Sequence, residues 1–325
     1  MLESIFDGKY CRVLVGGIEE WVESVLSERS VVCVVDSALE EIWRSRFGGS
    51  VISIEGGEGA KSLNVAQYLW ERLIELGATR QTLLLAVGGG TICDLVGFVA
   101  STYMRGIESA YIPTTLLAQV DAAIGGKCGI NLGGYKNMVG SFHFPERVLC
   151  DVSLLSSLPE REWRAGVAEV IKTAIMGDAE LFDMLENTSL EEVRRDRELC
   201  AQIVSRCVAV KCGIVERDPH EKDERRLLNL GHTWGHAIES LSGDYSHGEA
   251  VAVGIAYVTR KAVEQGLLVE SEGDRIVALL EHYGLPTEVA LSEEDLMCAT
   301  AHDKKHKDGA VRWVMPTAIG HCVIV

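Results

Sequence analysis

The sequence has no apolar run that approaches the length of a membrane span, and its first ten residues lack the basic start and apolar core of a signal peptide. Its ten cysteines include no Cys-x-x-Cys pair, and several lie in apolar stretches such as VVCVVD, which favours buried reduced thiols over a disulfide framework. These absences predict a cytoplasmic protein.

Positive charge is also scarce, because 31 lysines and arginines face 48 aspartates and glutamates, for a net charge of -17. Phosphate backbones and anionic lipid surfaces attract basic proteins, so neither nucleic acid nor a membrane is expected as the principal partner. A small anionic substrate is compatible with this charge, because a few clustered lysines can bind it locally.

No linker rich in proline, glycine or serine divides the chain, and we find no internal repeat. A length of 325 residues nevertheless predicts two domains. Residues 1–150 alternate β-branched runs, at 31–35, 51–54, 83–87 and 110–112, with helical stretches such as 61–76. That alternation predicts a doubly wound parallel sheet, an architecture that often binds nucleotides.

Residues 151–325 have a different texture. A helical pattern starts at Pro159, ends near Gly177, and is followed by further helical segments through about residue 283. Strands are predicted at 311–315 and 319–325, after a turn at Asp308-Gly309. The fold class predicted for the whole chain is therefore an α/β nucleotide-binding domain followed by a mainly α-helical metal-binding domain.

Three consecutive glycines, Gly88, Gly89 and Gly90, lead from the predicted strand at 83–87 directly into a helix. Unobstructed amides at a helix start suit a pyrophosphate, although Cys93 stands where the third glycine of GxGxxG would be, and such turns are often only structural. Asp36 follows another strand and could accept a hydrogen bond from a ribose or cap a helix equally well.

The segment from Pro113 to Pro145 combines many glycines with lysines, asparagines and threonines. Glycines let a backbone approach a ligand closely, and lysines offer charge to a phosphate or carboxylate. We predict that this segment lines a ligand site and is more than a connector.

His232 and His236 are four residues apart, on one face of a predicted helix, and His247 follows shortly after them. Spacing alone suggests that all three bind one metal, with two merely hydrogen-bonded histidines as the alternative. A metalloprotease is a poor match, because Thr233 stands where HExxH requires glutamate. Glu169 and Lys172 are three apart on another helix and either form an ion pair or contribute a metal ligand beside a substrate-binding lysine.

Several segments, in this order, are similar to the 3-dehydroquinate synthase family over nearly the whole chain. They are GGGTICDLVGFVASTYMRG, PTTLLAQVDAAIGGKCGIN, KNMVGSF, AEVIK, RRLLNLGHTWGHAIE and HGEAVAVG. The resemblance implies bound NAD, a divalent metal that is usually zinc with cobalt as an alternative, and a homodimer.

The resemblance also assigns roles to individual residues. It implies Glu169, His232 and His247 as metal ligands, with Glu221 and His236 as proton acceptors. The implied substrate-binding residues are Arg105, Asp121, Lys127, Asn137, Lys172, Lys211, Arg225, Asn229 and Lys305. The implied nucleotide contacts are Asp36, Glu58, Lys61, Gly89, Gly90, Thr91, Asp94, Thr114, Thr115 and Lys136.

The implied reaction converts 3-deoxy-D-arabino-heptulosonate 7-phosphate, a small anionic sugar phosphate, to 3-dehydroquinate and phosphate in the shikimate pathway of aromatic amino acid biosynthesis. NAD would oxidise a hydroxyl transiently, phosphate would be eliminated, hydride would return, and an intramolecular aldol step would close the ring. The sequence departs from the family pattern at Cys93, Cys128, Leu132 and Pro219, none of which is a proposed ligand or base.

Three other functions compete with this interpretation. Cyclases that make other cyclitols resemble the same family and differ mainly in substrate contacts. Metal-dependent alcohol or polyol dehydrogenases share the architecture but would accumulate reduced cofactor. A non-catalytic metal-binding protein would not need Lys127 and Lys172 near its site.

Overall fold

The structure, a computed structural model, describes residues 2–6, 8–47, 50–304 and 312–325. The chain forms two compact units, Met1–Leu158 and Pro159–Val325, which we call unit 1 and unit 2. None of the helices in the described part combines the length and hydropathy that a membrane span needs. All ten cysteines lie in described ranges, where they are free thiols, and only Cys298 is exposed.

Unit 1 has an α/β architecture. Its strands are β1 Leu2–Phe6, β2 Lys9–Val15, β3 Val31–Asp36, β4 Val51–Ile54, β5 Leu83–Gly88, β6 Ser109–Pro113, β7 Lys127–Leu132, β8 Tyr135–Phe142 and β9 Arg147–Cys150. Among the described residues, seven of these strands form one sheet in the order β1-β2-β9-β6-β5-β3-β4. Within this seven-stranded sheet only the β1–β2 pair is antiparallel, so the predicted parallel sheet is confirmed.

Burial explains why unit 1 could be predicted as a parallel sheet. Every residue of β5 and β6 is buried, as expected for strands covered on both faces. The helices of this unit are α1 Glu19–Glu28, α2 Glu40–Phe47, α3 Leu63–Glu75 and α4 Gly90–Thr102. Helix α3 begins where Ser62 accepts a hydrogen bond from the amide of Val65, so the predicted crossover helix is present with an N-cap.

The glycine-rich segment between Pro113 and Pro145 is more regular than a loop. It contains a π-helical turn, Ala118–Ala122, and an antiparallel hairpin of β7 and β8. Gly133 and Gly134 form the two-residue turn with φ of 60° and 83°, values that suit a type I′ hairpin.

Unit 2 is mainly helical, as predicted. Its helices are α5 Glu160–Gly177, α6 Ala179–Glu186, α7 Leu190–Arg195, α8 Arg197–Arg217, α9 His232–Leu241, α10 His247–Glu264, α11 Glu270–His282 and α12 Glu293–Lys304, and its strands are β10 Val314–Ala318 and β11 His321–Ile324. The two strands pair antiparallel, so a C-terminal hairpin is present. The predicted turn at Asp308-Gly309 lies outside the described residues.

Candidate active site

A carboxylate and two histidines meet inside unit 2. Nε2 of His247 lies 3.2 Å from Oε1 of Glu169, and Nε2 of His232 lies 3.7 Å from the same oxygen. One ligand atom from each residue falls within 4.8 Å of the others. Two imidazole nitrogens and a carboxylate oxygen at this spacing are a ligand set that holds catalytic zinc and leaves a position open.

Close helix packing brings these three residues together. Glu169 lies on α5, His232 begins α9, and His247 begins α10. A Cβ atom at Gly248 would lie 2.3 Å from Cα of Ala165, so the first turn of α10 approaches α5 because residue 248 is glycine. Gly231 takes a left-handed conformation, with φ of 76°, to cap α9 directly before His232.

The electrostatics of this cluster favour a cation. Burial, and secondarily the charge of Lys172, lowers the pKa of His232 to about 3, so its ring is neutral and able to bind a metal at pH 7. Burial alone would lower the pKa of His247, but hydrogen bonds to Glu169 and Glu239 outweigh it and raise the pKa to about 10. Two carboxylates thus favour positive charge at this point.

Lys172 forms a buried ion pair with Glu169. Its Nζ lies 2.5 Å from Oε2 of Glu169, and the two side chains are 1% and 0% exposed. Buried charges of this kind are paired, since an isolated one would be costly. The ion pair and the metal-ligand geometry, treated as alternatives from the sequence, both occur here, because the two oxygens of Glu169 face different partners.

His236 lies outside the three-residue cluster. It is exposed, and its ring centroid is 5.5 Å from that of His232 and 6.4 Å from that of His247. Helical spacing alone paired His232 with His236, whereas the structure pairs His232 with Glu169 and His247. His236 is therefore positioned beside the cluster.

In unit 1, three predicted nucleotide contacts lie at the carboxyl ends of neighbouring strands. Asp36 ends β3, Gly89 follows β5, and Thr114 follows β6, whose neighbours in the sheet are β5 and β9. The amide of Thr114 donates to the carbonyl of Gly88, which joins two of these strand ends. The carboxyl edge of a doubly wound sheet is where nucleotides bind.

The start of α4 presents backbone amides at the same edge. Gly89 is the N-cap and Gly90 and Thr91 form the first turn, with no side chain capping the helix. Thr115 lies beside this turn, since a Cβ at Gly89 would contact its Cγ2 at 3.2 Å. Asp36 also caps a short turn by accepting a hydrogen bond from Ala38, so its capping role is present in the structure.

A second group of predicted nucleotide contacts forms a hydrogen-bonded network with the hairpin. Nζ of Lys61, which is 4% exposed, donates to Asp94 at 2.6 Å and also to the side chain of Asn137. Asn131 accepts from the amide of Asn137 at 2.9 Å and donates to Glu58 at 2.8 Å. Asn137, a predicted substrate residue, is thereby joined to predicted nucleotide contacts.

Comparison with known proteins identifies the family. The models of the 3-dehydroquinate synthase N-terminal and C-terminal domains match residues 51–165 and 166–306. The chain belongs to the 3-dehydroquinate synthase family. A curated 3-dehydroquinate synthase from Desulforamulus reducens is 42% identical over 286 residues, which are 87% of this chain and 80% of that relative.

Solved structures of related cyclases share the fold. A 2-epi-5-epi-valiolone synthase from Streptomyces hygroscopicus subsp. jinggangensis, with NAD+ and Zn2+ bound, matches with a TM-score of 0.88 and 28% identity, covering 100% of this chain and 93% of that one. A 2-deoxy-scyllo-inosose synthase complexed with carbaglucose-6-phosphate, NAD+ and Co2+ matches with a TM-score of 0.87 and 26% identity, covering 100% and 94%.

This member of the 3-dehydroquinate synthase family has a well-defined polar loop before α9. Asp218 accepts hydrogen bonds from the amides of Lys222, Asp223 and Arg225, and these amides, against an opposing effect of burial, lower the pKa of Asp218. Glu221 has a positive φ of 56° and accepts from Nδ2 of Asn229 at 2.9 Å.

Two cations predicted to bind substrate are buried in unit 2. Arg225 is 1% exposed, and its guanidinium donates to the carbonyl of Pro219 at 2.5 Å. Lys211 on α8 is buried as well. The structure therefore groups Glu221, Arg225 and Asn229 in one segment that begins after α8.

The remaining predicted site residues of this family member lie in unit 1, with one exception. Arg105 is exposed and has a φ of 70°, and Asp121 lies on the π-helical turn. Lys127 begins β7 and Lys136 lies on β8, both with exposed side chains. Lys305 lies outside the described residues.

Sequence reasoning missed Glu239 and the role of Asn131. Nδ1 of His247 lies 3.5 Å from Oε2 of Glu239 on α9. A signal was present, because residues 232, 236 and 239 recur at i, i+4 and i+7 and so share a helix face. Asn131 gave no such signal, since its partners come from the loop before α3 and from β8.

Proposed function

We propose that this chain is a 3-dehydroquinate synthase, a carbon–oxygen lyase that converts 3-deoxy-D-arabino-heptulosonate 7-phosphate to 3-dehydroquinate and inorganic phosphate. The observation that carries the proposal is the cluster of Glu169, His232 and His247, found in a chain 42% identical to a curated 3-dehydroquinate synthase. NAD and a divalent metal, zinc or cobalt, are its proposed cofactors.

The residues present fit a divalent metal. Glu169, His232 and His247 would hold it through one oxygen and two nitrogens, and the lowered pKa of His232 keeps that ring in its binding form. A bound metal supplies Lewis acidity, which polarises a substrate hydroxyl and makes a neighbouring proton easier to remove. Lys172, paired with Glu169, would place its ammonium group beside the substrate oxygen held there.

Unit 1 carries residues that fit NAD. The uncapped first turn of α4 would bind the pyrophosphate through the amides of Gly89, Gly90 and Thr91, while Asp36 suits a ribose hydroxyl. NAD supplies reversible hydride acceptance, so the reaction has no net redox change.

The chain's own residues would bind the anionic substrate and move its protons. Lys127, Arg105 and Lys211 are the cations proposed to neutralise its phosphate and carboxylate. His236 is exposed beside the metal ligands and would exchange a proton at a ring nitrogen, and the carboxylate of Glu221, oriented by Asn229, would accept another.

A second candidate function is another sugar phosphate cyclase. The shared fold with a 2-epi-5-epi-valiolone synthase and a 2-deoxy-scyllo-inosose synthase is the observation that favours it. We prefer the dehydroquinate reaction because identity to curated 3-dehydroquinate synthases, at 42%, exceeds the 28% and 26% identity to those two cyclases.

The test is an incubation of the protein with NAD, zinc and the heptulosonate phosphate. Phosphate should be released and 3-dehydroquinate formed, with no lasting rise in NADH, and His232→Ala should abolish both. A parallel incubation with glucose 6-phosphate should release no phosphate. Net NADH would indicate a dehydrogenase, phosphate release from glucose 6-phosphate alone would indicate another cyclase, and no release from either substrate would refute the proposal.

The homodimer rests on the family resemblance and stays a prediction, as does the cytoplasmic location expected from the sequence. Sedimentation of the purified protein tests the first, since a dimer of this chain would have twice the 35.4 kDa of one copy.

A further inference from the structure

The two histidines of the metal cluster have different partners at their second ring nitrogens. Nδ1 of His232 lies 3.1 Å from the carbonyl oxygen of Leu230, a neutral acceptor. Nδ1 of His247 lies 3.5 Å from Oε2 of Glu239, a carboxylate whose side chain is only 10% exposed. Each ring therefore directs Nε2 towards Glu169 while its other nitrogen faces an oxygen.

We infer that Glu239 is a positioning residue of the metal site. It holds the ring of His247 so that Nδ1–H points towards the carboxylate of Glu239 and Nε2 points towards the metal. This inference rests on the proposed metal site at Glu169, His232 and His247. A carboxylate that does not bind the metal itself, but accepts a hydrogen bond from a ligating histidine, fixes the tautomer and orientation of that ring and increases its basicity.

The location of Glu239 supports this role. It lies seven residues after His232, on the same face of α9, while His247 begins α10. Helix α9 thus provides one ligand directly and orients a second on the next helix. His247 is the more exposed of the two histidine side chains, at 33% against 11%, so packing restrains its ring less and an orienting partner matters more.

We expect substitutions of Glu239 to have a graded effect on metal affinity. Glu239→Ala removes the acceptor and should weaken zinc binding about 10- to 100-fold, the usual effect of losing such a partner. Glu239→Gln keeps an acceptor oxygen of similar reach but loses the charge, so its loss should be smaller. Cobalt(II) bound to Glu239→Ala should also show an altered visible absorption spectrum, because the geometry around His247 changes.

Glu264→Gln is the matched control. Glu264 ends α10, the helix that His247 begins, and pairs with Lys261, so this variant removes one negative charge at the far end of the same helix. It should leave zinc affinity and the cobalt spectrum unchanged.

The measurement is competition of each folded variant with a chelator for zinc, together with the cobalt spectrum. Wild-type affinity and spectrum in Glu239→Ala would overturn the inference, as would equal losses in Glu239→Gln and Glu264→Gln, which would indicate a general charge effect. Failure of the wild-type protein to bind zinc would instead overturn the metal site itself. If Glu239→Ala does not fold, Glu239→Gln decides between these outcomes.

Discussion

Nε2 of His247 lies 3.2 Å from Oε1 of Glu169, although 78 residues separate them in the sequence. Contact between them depends on the packing of α10 against α5, for which Gly248 leaves room. Helix packing in unit 2 therefore forms the candidate metal site. We expect substitution of one of its ligands to have a different effect from substitution of the exposed His236 beside them.

We predict that His247→Ala loses zinc while His236→Ala retains it. Removing a ligand nitrogen should reduce zinc affinity by more than about 100-fold, which exceeds the effect of losing a residue that only hydrogen-bonds a ligand. His236→Ala should bind zinc normally but slow turnover about 10²- to 10⁴-fold, the range expected for a lost proton-transfer group. Zinc content after dialysis, together with phosphate release, measures both effects. Equal zinc loss in the two variants would mean that the roles are misassigned.

Gly248→Ala tests the helix packing that forms the site. The added Cβ would lie 2.3 Å from Cα and 2.4 Å from the carbonyl oxygen of Ala165, so backbone must move. We expect a loss of about 1–3 kcal/mol in the free energy of unfolding, as for other overpacked positions, together with weaker zinc binding. Urea denaturation and chelator competition measure these two quantities.

Gly243→Ala is the control for that substitution. Gly243 lies in the connection between α9 and α10, shortly before Gly248, and a Cβ there would meet nothing within 4 Å. Its stability and zinc affinity should match those of the wild type. A Gly248→Ala protein as stable as Gly243→Ala would contradict the packing argument.

Much of the fold could be predicted from the sequence because its signals are local. The runs VVCVV and LLLAV are buried strands, and Pro159 precedes a long helix, as their residue patterns indicate. The β7–β8 hairpin was predicted only as a ligand-lining loop, although Gly133-Gly134 is a hairpin signal. Gly129 and Gly140 pair across this hairpin, so some of its glycines serve strand packing.

The site could be predicted only in part, for a physical reason. Helical periodicity places His232 and His236 on one face but does not show which other helix approaches that face. The sequence pattern alone left Glu169 as either an ion-pair partner or a metal ligand, and the resemblance named it as a ligand. Glu239 became evident only once α9 and α10 were packed together. Asn131 likewise gains its role from Glu58, 73 residues away in the sequence, and from Asn137 on the paired strand.

We predict that Asn131→Ala weakens NAD binding and raises the KM for the heptulosonate phosphate. Asn131 bonds both Glu58 and the amide of Asn137, whose φ is 53°, so its loss should release the hairpin strand that carries Asn137. Because two partly exposed hydrogen bonds are lost, we expect NAD affinity and KM each to change about tenfold. Calorimetric titration with NAD and steady-state kinetics measure it.

Gln67→Ala is a matched control for Asn131→Ala. Its amide bonds Glu71 at 2.9 Å on the exposed face of α3, with no link to the network. NAD affinity and KM should therefore stay at wild-type values. If Asn131→Ala behaves like Gln67→Ala, the network does not position Asn137 for binding.

We predict that the stability of the protein depends on pH through Asp178. This carboxylate caps α6 by accepting from the amide of Leu181 at 3.0 Å and receives two hydrogen bonds from Arg206 at 2.8 and 2.6 Å. Burial alone would raise the pKa of Asp178, but Arg206 and the backbone amides outweigh it and hold the pKa below its usual value. Asp178→Ala should therefore lower the free energy of unfolding by about 2 kcal/mol at pH 7.

A carboxyl whose pKa is lower in the folded state binds protons more readily when the protein is unfolded. Its contribution to the free energy of unfolding is therefore complete above its pKa in the unfolded state, about 3.9. It is lost as pH falls through the folded pKa. Urea denaturation from pH 7 down to pH 3 should show the stability gap between wild type and Asp178→Ala narrowing below about pH 4. Glu180→Ala, which removes the exposed second partner of Arg206, should have little effect at any of these pH values, because an exposed ion pair contributes little. A gap that stays constant with pH would show that Asp178 acts through packing and not through its charge.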